Sequence, residues 1–427
     1  MKRYLFSLAA LIVLYSCSPT QQIRRSAENG LLQSEPLKTA HVGISIFDPA
    51  ANKYLYNYQG DKYFVPASNT KIPTCYAAMK YLGDSLVGFR YSTNGNSIVI
   101  EPSGDPSFLH SDYKIQPAYQ LLQQYQNITI QKPLFEDEFI GSGWSWNDFK
   151  EAYMAQRSNF PIYGNTVRLS LKDNKQIQVA PSYFTTNIEV GEPLTVGFTI
   201  EKPWEENRFI ALAGNSKSAE IPFRPTIGTI QALLADTLNR KVELDIATTK
   251  RPANVLHSQP TDSLLRPMMH RSDNFFAEQS LLMVSNEKLG VMKDSKIIDT
   301  LLKTDFKDLP QKPRWVDGSG LSRYNLFTPQ DFVTILNKMK NEFGMERIKV
   351  ILPTGNDGTL VNYYKDLDGK LFAKTGTLSG VVALSGFMYT KKNKLLVFSV
   401  LVNNHQSSAT NVRRAVEHFL MGVQEKY

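Results

Sequence analysis

The chain has 427 residues, which is more than one hydrophobic core usually serves, so the sequence predicts two or more domains. Hydrophobic residues at 42% and charged residues at 21% are typical of a globular protein without a long disordered tract. The formal net charge of +8 is scattered among 40 acidic residues with no basic run, which argues against nucleic acid and favours an anionic membrane surface or cell-wall polymer.

The N-terminus predicts export and attachment to a lipid. Lys2 and Arg3 precede an apolar run, residues 5–15, that is too short to span a bilayer comfortably. Residues 14–17 resemble a bacterial lipobox, in which Cys17 becomes the first mature residue and carries the lipid. The alternatives are a plain signal peptide with a chance cysteine, or a signal anchor. We expect the periplasmic side of the bacterial envelope, with the outer membrane favoured over the inner.

The next elements are a tether, a hairpin and a helix. Polar, aperiodic residues up to about 38 predict a tether between lipid and domain. Two strand-like runs, 41–47 and 54–58, are separated by turn residues and predict a β-hairpin. After Pro66 the apolar spacing becomes helical and Gly83 ends it. Cys75 lies on that helix as a small core residue, because two cysteines are too few for a disulfide framework.

The remainder predicts an α+β fold with a β-rich insertion. Residues from about 90 to 255 alternate short strands with two helices, and helical spacing returns after 260. A second hairpin, 381–389 with 395–402, precedes a last helix at 408–421. The simplest assembly joins both hairpins into one antiparallel sheet with the last helix across it. The predicted division is a signal peptide at 1–16, a tether at 17–38, a discontinuous main domain at 39–90 and 256–427, and an inserted β-rich region at 91–255.

Ser68 and Lys71 form the first candidate for chemistry. A serine hydroxyl is a poor nucleophile until a base takes its proton, and a lysine three positions later on a helix can reach it. The helix N-terminus supplies free N–H groups and a positive dipole end, which suit an oxyanion and lower a lysine pKa. The spacing alone is a weak signal, since Ser68 could be only an N-cap. Pro73 also predicts a kinked or 3₁₀ first turn.

Two further motifs strengthen this candidate. They are Ser272-Asp273-Asn274 and Lys374-Thr375-Gly376, each of which could by itself be a turn or a cap. Together, in the order Ser-x-x-Lys, Ser-x-Asn, Lys-Thr-Gly, the three are the signature set of penicillin-binding proteins and serine β-lactamases.

The wider pattern resembles one family within that set, the penicillin-binding-protein-4-type D-alanyl-D-alanine carboxypeptidases of peptidase family S13. The resemblance covers residues 40 to 405 and is sparse from 165 to 250. Ser68 and Ser272 are 204 residues apart (272 − 68), whereas class A β-lactamases have a far shorter first interval and the S13 family carries inserted domains there. The segments that carry the resemblance are residues 66–71, 104–107, 272–278, 317–323, 357–360 and 374–380.

The resemblance implies a fold and a function. The fold is the penicillin-binding/β-lactamase-like transpeptidase fold, an antiparallel sheet flanked by helices, with a β-rich domain inserted between the first and second motifs. The function is that of a serine-type D-Ala-D-Ala carboxypeptidase acting on peptidoglycan stem peptides, inhibited by β-lactams, with D,D-endopeptidase activity as an extension. Two alternatives stay open: a β-lactamase or esterase, for which we identify no water-activating group, and a catalytically idle wall-binding protein.

It also implies roles for the residues of the first two motifs. Ser68 would attack the carbonyl of the penultimate D-Ala. Lys71, held near cations and partly desolvated, would be the base. Ser272 would relay a proton to the leaving group, and Asn274 would hold the substrate amide.

The third motif and three specificity residues complete the predicted site. Lys374 and Thr375 would bind the terminal carboxylate, the N–H groups of Ser68 and Thr377 would form the oxyanion hole, and Gly376 would let its strand approach closely. Residues 144–148 resemble the family segment whose acid contacts the amino group of the peptidoglycan diamino acid. The specificity residues are therefore Asp148, Arg323 and Ser379.

Simpler roles are open for some of these residues. Asp148 could be a solvated loop carboxylate, and Arg323 could form a structural salt bridge. Glu278 and Asp317 are expected to be structural. No metal or cofactor is expected, since six histidines are dispersed and no phosphate-binding glycine loop precedes a helix.

Overall fold

The computed structural model describes residues 19–173, 176–191, 194, 196–248 and 250–427. The chain divides into two compact units. Unit 1 contains the chain up to Asn69 with Leu309–Pro313 and Leu326–Tyr427, and unit 2 contains Thr70–Asp308 and Arg314–Asn325. The predicted signal peptide and Cys17 lie outside the described residues. The predicted domain boundaries group the chain differently and stay a prediction.

The two units are built from both helices and strands, as expected of an α+β fold. The helices are α1 Pro19–Ser26, α2 Lys71–Tyr81, α3 Pro117–Leu122, α4 Ile227–Leu238, α5 Thr261–His270, α6 Asn274–Leu289, α7 Asp294–Lys303, α8 Pro329–Ile351 and α9 Ala409–Lys426. The strands are β1 His41–Asp48, β2 Lys53–Tyr58, β3 Ser85–Asn94, β4 Ser97–Pro102, β5 Asn127–Gln131, β6 Thr166–Leu171, β7 Ile177–Ala180, β8 Ile188–Val190, β9 Gly197–Glu201, β10 Phe209–Gly214, β11 Ser218–Pro222, β12 Val242–Asp245, β13 Asn254–Pro260, β14 Leu371–Leu378, β15 Val381–Tyr389 and β16 Leu395–Asn403. Among the described residues, no helix has the length and apolar character needed to cross a membrane.

Unit 1 is organised around one antiparallel sheet in the order β14-β15-β16-β1-β2. Ile44 of β1 faces Val400 of β16, so the N-terminal and C-terminal hairpins join at the centre of the sheet. Alternate side chains of a strand point to opposite faces, and both faces are covered. One face packs against α1 and α9, and the other packs against α8, whose Pro329 lies beside Gly43. The prediction that the two hairpins form one sheet beneath the last helix is confirmed.

The predicted tether is corrected by the structure from Pro19 onward. Residues 19–31 are helical, and Ile23, Ala27 and Leu31 are buried in the same hydrophobic cluster as α9. These three residues are spaced four apart, which places them on one face of a helix. Only one residue per helical turn is apolar and its neighbours are polar, so the sequence shows little helical periodicity in this segment.

Unit 2 combines a helical part with three sheets. The five-stranded sheet has the order β12-β5-β4-β3-β13, and two three-stranded sheets have the orders β11-β6-β7 and β8-β10-β9. A single hydrophobic cluster unites side chains from all three sheets with those of α3 and α4. The helical part packs α6 against α2, α5 and α7, and most of α6 is buried. The β-rich middle predicted between the first two motifs is therefore present.

Helix α8 and strand β14 have no counterpart among the predicted elements. Helix α8 begins with a capping box, in which Thr328 Oγ1 accepts from the Asp331 N–H at 3.1 Å and Asp331 Oδ2 accepts from the Thr328 N–H at 3.0 Å. Pro329 occupies its first position, where a missing N–H costs nothing. Strand β14 carries the Lys374 motif, which the sequence placed only in a stretch leading into the hairpin.

We expect Ile23→Ala to lower the free energy of unfolding by about 2–5 kcal/mol, because it opens a cavity between α1 and α9. The control is Arg25→Ala on the exposed face of the same helix. We expect this change to alter the free energy of unfolding by less than about 0.5 kcal/mol. Urea unfolding of the three proteins measures both effects. Equal stability of Ile23→Ala and Arg25→Ala would contradict the packing of α1.

Candidate active site

The predicted site residues fall into two groups, one in each unit. The unit 1 group contains Ser68, Lys374, Thr375, Gly376, Thr377 and Ser379. The unit 2 group contains Lys71, Ser272, Asn274, Asp148 and Arg323. The boundary between the units crosses the chain between Asn69 and Thr70.

Ser68 lies in a tight turn that is attached to strand β14. The preceding Ala67 has φ +48°, in the left-handed region that non-glycine residues rarely adopt, so the turn is strained. The Asn69 N–H donates to the Pro66 carbonyl at 3.2 Å, and Asn69 Nδ2 donates to the Lys374 carbonyl at 2.9 Å. The second bond fixes the serine turn beside the Lys-Thr-Gly strand.

Gly376 is the point of closest approach between that turn and β14. A Cβ at this position would lie 2.7 Å from the Pro66 oxygen and 3.1 Å from the Ser68 nitrogen. Real Cβ contacts of 2.7 Å to backbone do not occur, so only glycine fits without moving the turn. The backbone nitrogen of Ser68 is thereby held against the strand that also carries the backbone of Thr377.

The polar side chains of β14 are engaged within unit 1. Lys374 is fully buried and its Nζ donates to the Thr375 carbonyl at 2.8 Å. Thr375 Oγ1 donates to Thr359 Oγ1 at 2.7 Å, and Thr377 Oγ1 accepts from Arg413 at 2.6 Å. Ser379 is exposed in the turn between β14 and β15.

Thr359 and Arg413 were not among the predicted site residues. Thr359 belongs to the segment 357–360 that carried part of the family resemblance, so a signal for it was present. Arg413 lies on α9, 36 residues after its partner Thr377, and nothing in the local pattern distinguishes it from a surface arginine.

Lys71 in unit 2 has an amino group without access to water. The residue is fully buried, and Nζ donates to Asn274 Oδ1 at 2.6 Å and to the Ser319 carbonyl at 2.8 Å. Burial disfavours the charged ammonium and lowers the pKa of Lys71 from 10.5 to about 8, although the charges of Asp317, Glu278 and Asp273 oppose this effect. The expectation of nearby cations is corrected, because burial lowers this pKa while the nearby charges are negative.

The start of α2 accommodates Pro73. A 3₁₀ turn covers Ala67–Thr70 and the α-helix begins at Lys71, so Pro73 is its third residue. The first N–H groups of a helix have no intrahelical acceptor, and the missing N–H of proline costs little there. The predicted 3₁₀ first turn is confirmed.

Ser272 and Asn274 stand at the start of α6. Ser272 has φ +63°, a strained conformation at a residue proposed for chemistry. Asp273 caps the helix by accepting from the Phe276 N–H at 2.9 Å. Asn274 Nδ2 donates to the Tyr153 carbonyl at 2.9 Å while its Oδ1 accepts from Lys71. Both ends of this amide therefore have protein partners and hold Lys71 in place, while its predicted contact with a substrate amide stays a prediction.

Two buried carboxyl groups shape the loop that accepts from Lys71. Asp317 accepts from the N–H groups of Gly320 at 2.8 Å and Ser322 at 2.7 Å, and also from Trp144 Nε1 at 3.0 Å. Burial raises the pKa of Asp317. These bonds place Asp317 in the structural role expected of it.

Glu278 fixes the same loop from helix α6. It accepts from the Ser319 N–H at 2.7 Å, and burial with the nearby Asp317 charge raises its pKa to about 8. Arg157 opposes that rise from 3.4 Å, and it also contacts Asp137 at 3.0 Å and Asp294 at 2.6 Å. The buried charges thus compensate one another around the residue whose carbonyl binds Lys71.

The two specificity candidates of unit 2 lie on loops that pack together. Asp148 ends a short 3₁₀ turn, Trp146–Asp148, and burial together with the nearby Asp148 charge raises the pKa of Tyr153 to about 12. Arg323 is exposed on the loop held by Asp317. A Cβ at Gly143 would lie 2.6 Å from the Tyr324 ring, so the loops that carry these residues are in close contact. Within the described chain, no group of three or more His, Cys, Asp or Glu is placed to hold a metal ion.

Comparison with known proteins identifies the family of the chain. Residues 24–423 match the model of the D-Ala-D-Ala carboxypeptidase 3 (S13) family. The D-alanyl-D-alanine carboxypeptidase DacB of Haemophilus influenzae is 24% identical, over 86% of either chain. A D-alanyl-D-alanine carboxypeptidase of Actinomadura sp. is 25% identical, over 89% of this chain and 81% of that one.

A solved structure tests the fold. The crystal structure of penicillin binding protein 4 from Haemophilus influenzae superposes with a TM-score of 0.74 at 22% identity, covering 92% of this chain and 98% of that one. The predicted fold class is confirmed by this similarity.

We expect the amino group of Lys71 to titrate with a pKa of about 8. Asn274→Asp should raise that pKa by at least about 1, because a carboxylate replaces the neutral oxygen that Lys71 contacts. Asn274→Leu should lower it, because the ammonium loses an acceptor. NMR titration of ¹³C-labelled lysine measures the pKa of Lys71 in the parent protein and in both Asn274 variants. The Lys71 resonance is assigned as the one that is lost in Lys71→Arg. A midpoint near 10.5 in the parent protein would show that Lys71 is not desolvated.

Proposed function

Since the chain belongs to the D-Ala-D-Ala carboxypeptidase 3 (S13) family, we propose that it removes the terminal D-Ala from peptidoglycan stem peptides through an acyl-enzyme on Ser68. The burial and lowered pKa of Lys71 are the observation that supports this proposal. A lysine that is buried and has a pKa of about 8 is partly neutral at physiological pH, and only the neutral amine can accept a proton. An ordinary lysine with a pKa of 10.5 would be almost fully protonated and unable to act as the base.

In the proposed acylation, Lys71 accepts the hydroxyl proton of Ser68 as Ser68 Oγ attacks the carbonyl carbon of the penultimate D-Ala. The carbonyl oxygen becomes an oxyanion, which accepts hydrogen bonds from the backbone N–H groups of Ser68 and Thr377. The close approach of Gly376 to the Ser68 nitrogen supports this role, because it aligns the serine turn with β14.

The remaining residues act on the leaving group and on the end of the substrate. Collapse of the oxyanion breaks the C–N bond, and Ser272 relays the proton to the departing D-Ala amine. Lys374 and Thr375 bind the terminal carboxylate by charge-assisted hydrogen bonds. Water then hydrolyses the ester and releases the shortened peptide, while Ser68 regains its proton. The same steps on a cross-linked D-Ala would give endopeptidase activity.

The proposal includes inhibition by penicillin. A β-lactam would acylate Ser68 by the same attack and leave slowly, because its opened ring stays attached to the acyl group. Similarity to a protein named penicillin binding protein 4 supports this expectation. A β-lactamase or esterase would instead release the adduct quickly, and an idle wall-binding protein would form none.

Ser68→Ala should abolish labelling by a fluorescent penicillin and reduce hydrolysis of D-Ala-D-Ala peptides by at least about 10³-fold, because no other group can form the ester. The control is Ser92→Ala, an exposed serine on β3 that should keep both activities. Gel fluorescence and amino-acid release measure the effects, with circular dichroism to confirm folding. Unchanged labelling of a folded Ser68→Ala would rule out Ser68 as the nucleophile.

We further propose that Cys17 carries a lipid and holds the protein on the periplasmic side of the envelope, with the outer membrane favoured. The support is the order of basic residues, apolar run and Cys17 in the sequence. Cys17→Ala should move the protein from the membrane fraction to the soluble fraction. Cys75→Ala, which alters a buried cysteine, should leave it in the membrane fraction. Membrane association of Cys17→Ala would count against lipid attachment.

A further inference from the structure

A pocket in unit 2 lies directly beside the Ser-x-Asn motif, and its lining beyond that motif has no part in the reaction described above. Its volume is about 340 Å³, within the range of small-molecule sites. Ser272 and Asn274 line one side of it, and Arg168 of β6 and Glu220 of β11 line another. We refer to this cavity as the Arg168 pocket.

Arg168 is held in place by a carboxylate, but some of its N–H donors have no acceptor among the described residues. Glu220 faces it directly across the two strands and accepts from Arg168 Nε at 3.3 Å. The same oxygen of Glu220 accepts from Thr166 Oγ1 at 2.6 Å, which fixes the carboxylate. Within the described part of the chain, the terminal nitrogens Nη1 and Nη2 of Arg168 donate to no acceptor. The side chain is 43% exposed, so its free donors are accessible.

The other arginine that lines the pocket, Arg271, already has carboxylate partners. Arg271 contacts Asp112 at 2.5 Å and Asp273 at 2.9 Å, and it also covers the ring of Phe276. Burial lowers the pKa of His110, whose Nδ1 accepts from the Asp112 N–H at 3.2 Å. His110 is therefore neutral at physiological pH, and Arg168 is the pocket cation with donors to offer.

Two other arginines of unit 2 show how many carboxylates one guanidinium group of this chain contacts. Arg271 bridges two carboxylates, and Arg157 contacts three. Arg168 has one carboxylate partner, on Nε, while its planar terminal nitrogens form the fork that binds a carboxylate in a bidentate manner. A second carboxylate supplied by a ligand would complete the same arrangement.

We propose that the Arg168 pocket binds a free carboxylate of the substrate peptide, located upstream of the reactive D-Ala-D-Ala end. The inference rests on the proposed function, which places that end against Ser272 on the pocket wall. The inserted strands would thereby select anionic stem peptides. This role is separate from those predicted for Asp148, Arg323 and Ser379.

The test uses two synthetic peptides that end in D-Ala-D-Ala and differ only in an upstream free carboxylate or its carboxamide. The parent protein should show a higher kcat/KM for the carboxylate peptide. Arg168→Gln should reduce that value about 10-fold or more and leave the carboxamide value unchanged. Arg168→Lys should recover part of the preference, because it keeps the charge without the fork. Arg208→Gln, which changes an exposed arginine that precedes β10 and is paired with glutamates, is the matched control.

Labelling by a fluorescent penicillin should proceed at the parental rate in Arg168→Gln, which shows that the chemistry of Ser68 is intact. A loss of kcat/KM that is equal for both peptides, or no loss for either, would overturn the proposal.

Binding of the two peptides to Ser68→Ala, measured by calorimetry, separates this proposal from the proposed function because it needs no turnover. Tighter binding of the carboxylate peptide that disappears when Arg168→Gln is added supports the pocket even if hydrolysis fails. Equal binding of the two peptides to Ser68→Ala overturns it.

Discussion

A lysine amino group that is removed from water must find acceptors, and Lys71 finds them in Asn274 Oδ1 and the Ser319 carbonyl. Much of unit 2 serves to place these two oxygens. Asn274 is held at the start of α6 by the Asp273 cap and by the Tyr153 carbonyl. Ser319 belongs to a loop outside any helix or strand, so hydrogen bonds to the buried carboxyl groups of Glu278 and Asp317 fix it in place of a regular backbone pattern.

This arrangement places several buried charges close together, and their balance sets the proton affinity of Lys71. Full desolvation alone would make the amine too weakly basic to be useful, whereas free carboxylates alone would keep it charged. Asp317 and Asp273 favour the charged ammonium, and Glu278, whose pKa is raised to about 8, adds to this effect only in its ionised form, which the nearby Arg157 favours. Removing one member of such a buried set leaves the others uncompensated, which costs several kcal/mol, so stability and proton affinity are linked here.

Much of the architecture could be predicted from the sequence because its signals are local. The hairpin at 381–389 and 395–402 agrees with β15 and β16 to within one residue, since both strands are continuous apolar runs. The Ser-x-x-Lys spacing located the candidate nucleophile without any structure. Helix α1 escaped prediction because its apolar stripe makes sense only beside α9, almost 400 residues later in the chain. The partner of Asn274 and the free donors of Arg168 escaped prediction for the same reason: both depend on residues distant in sequence, and no periodicity reports such contacts.

The contact at Gly376 restricts which residues this position can accept in evolution. Here a side chain at 376 would collide first with the Pro66 oxygen, and so with the turn that carries Ser68. Under the proposed function, a side chain at 376 would displace the proposed nucleophile itself, so this position offers no route to a protein that excludes a β-lactam and keeps its activity.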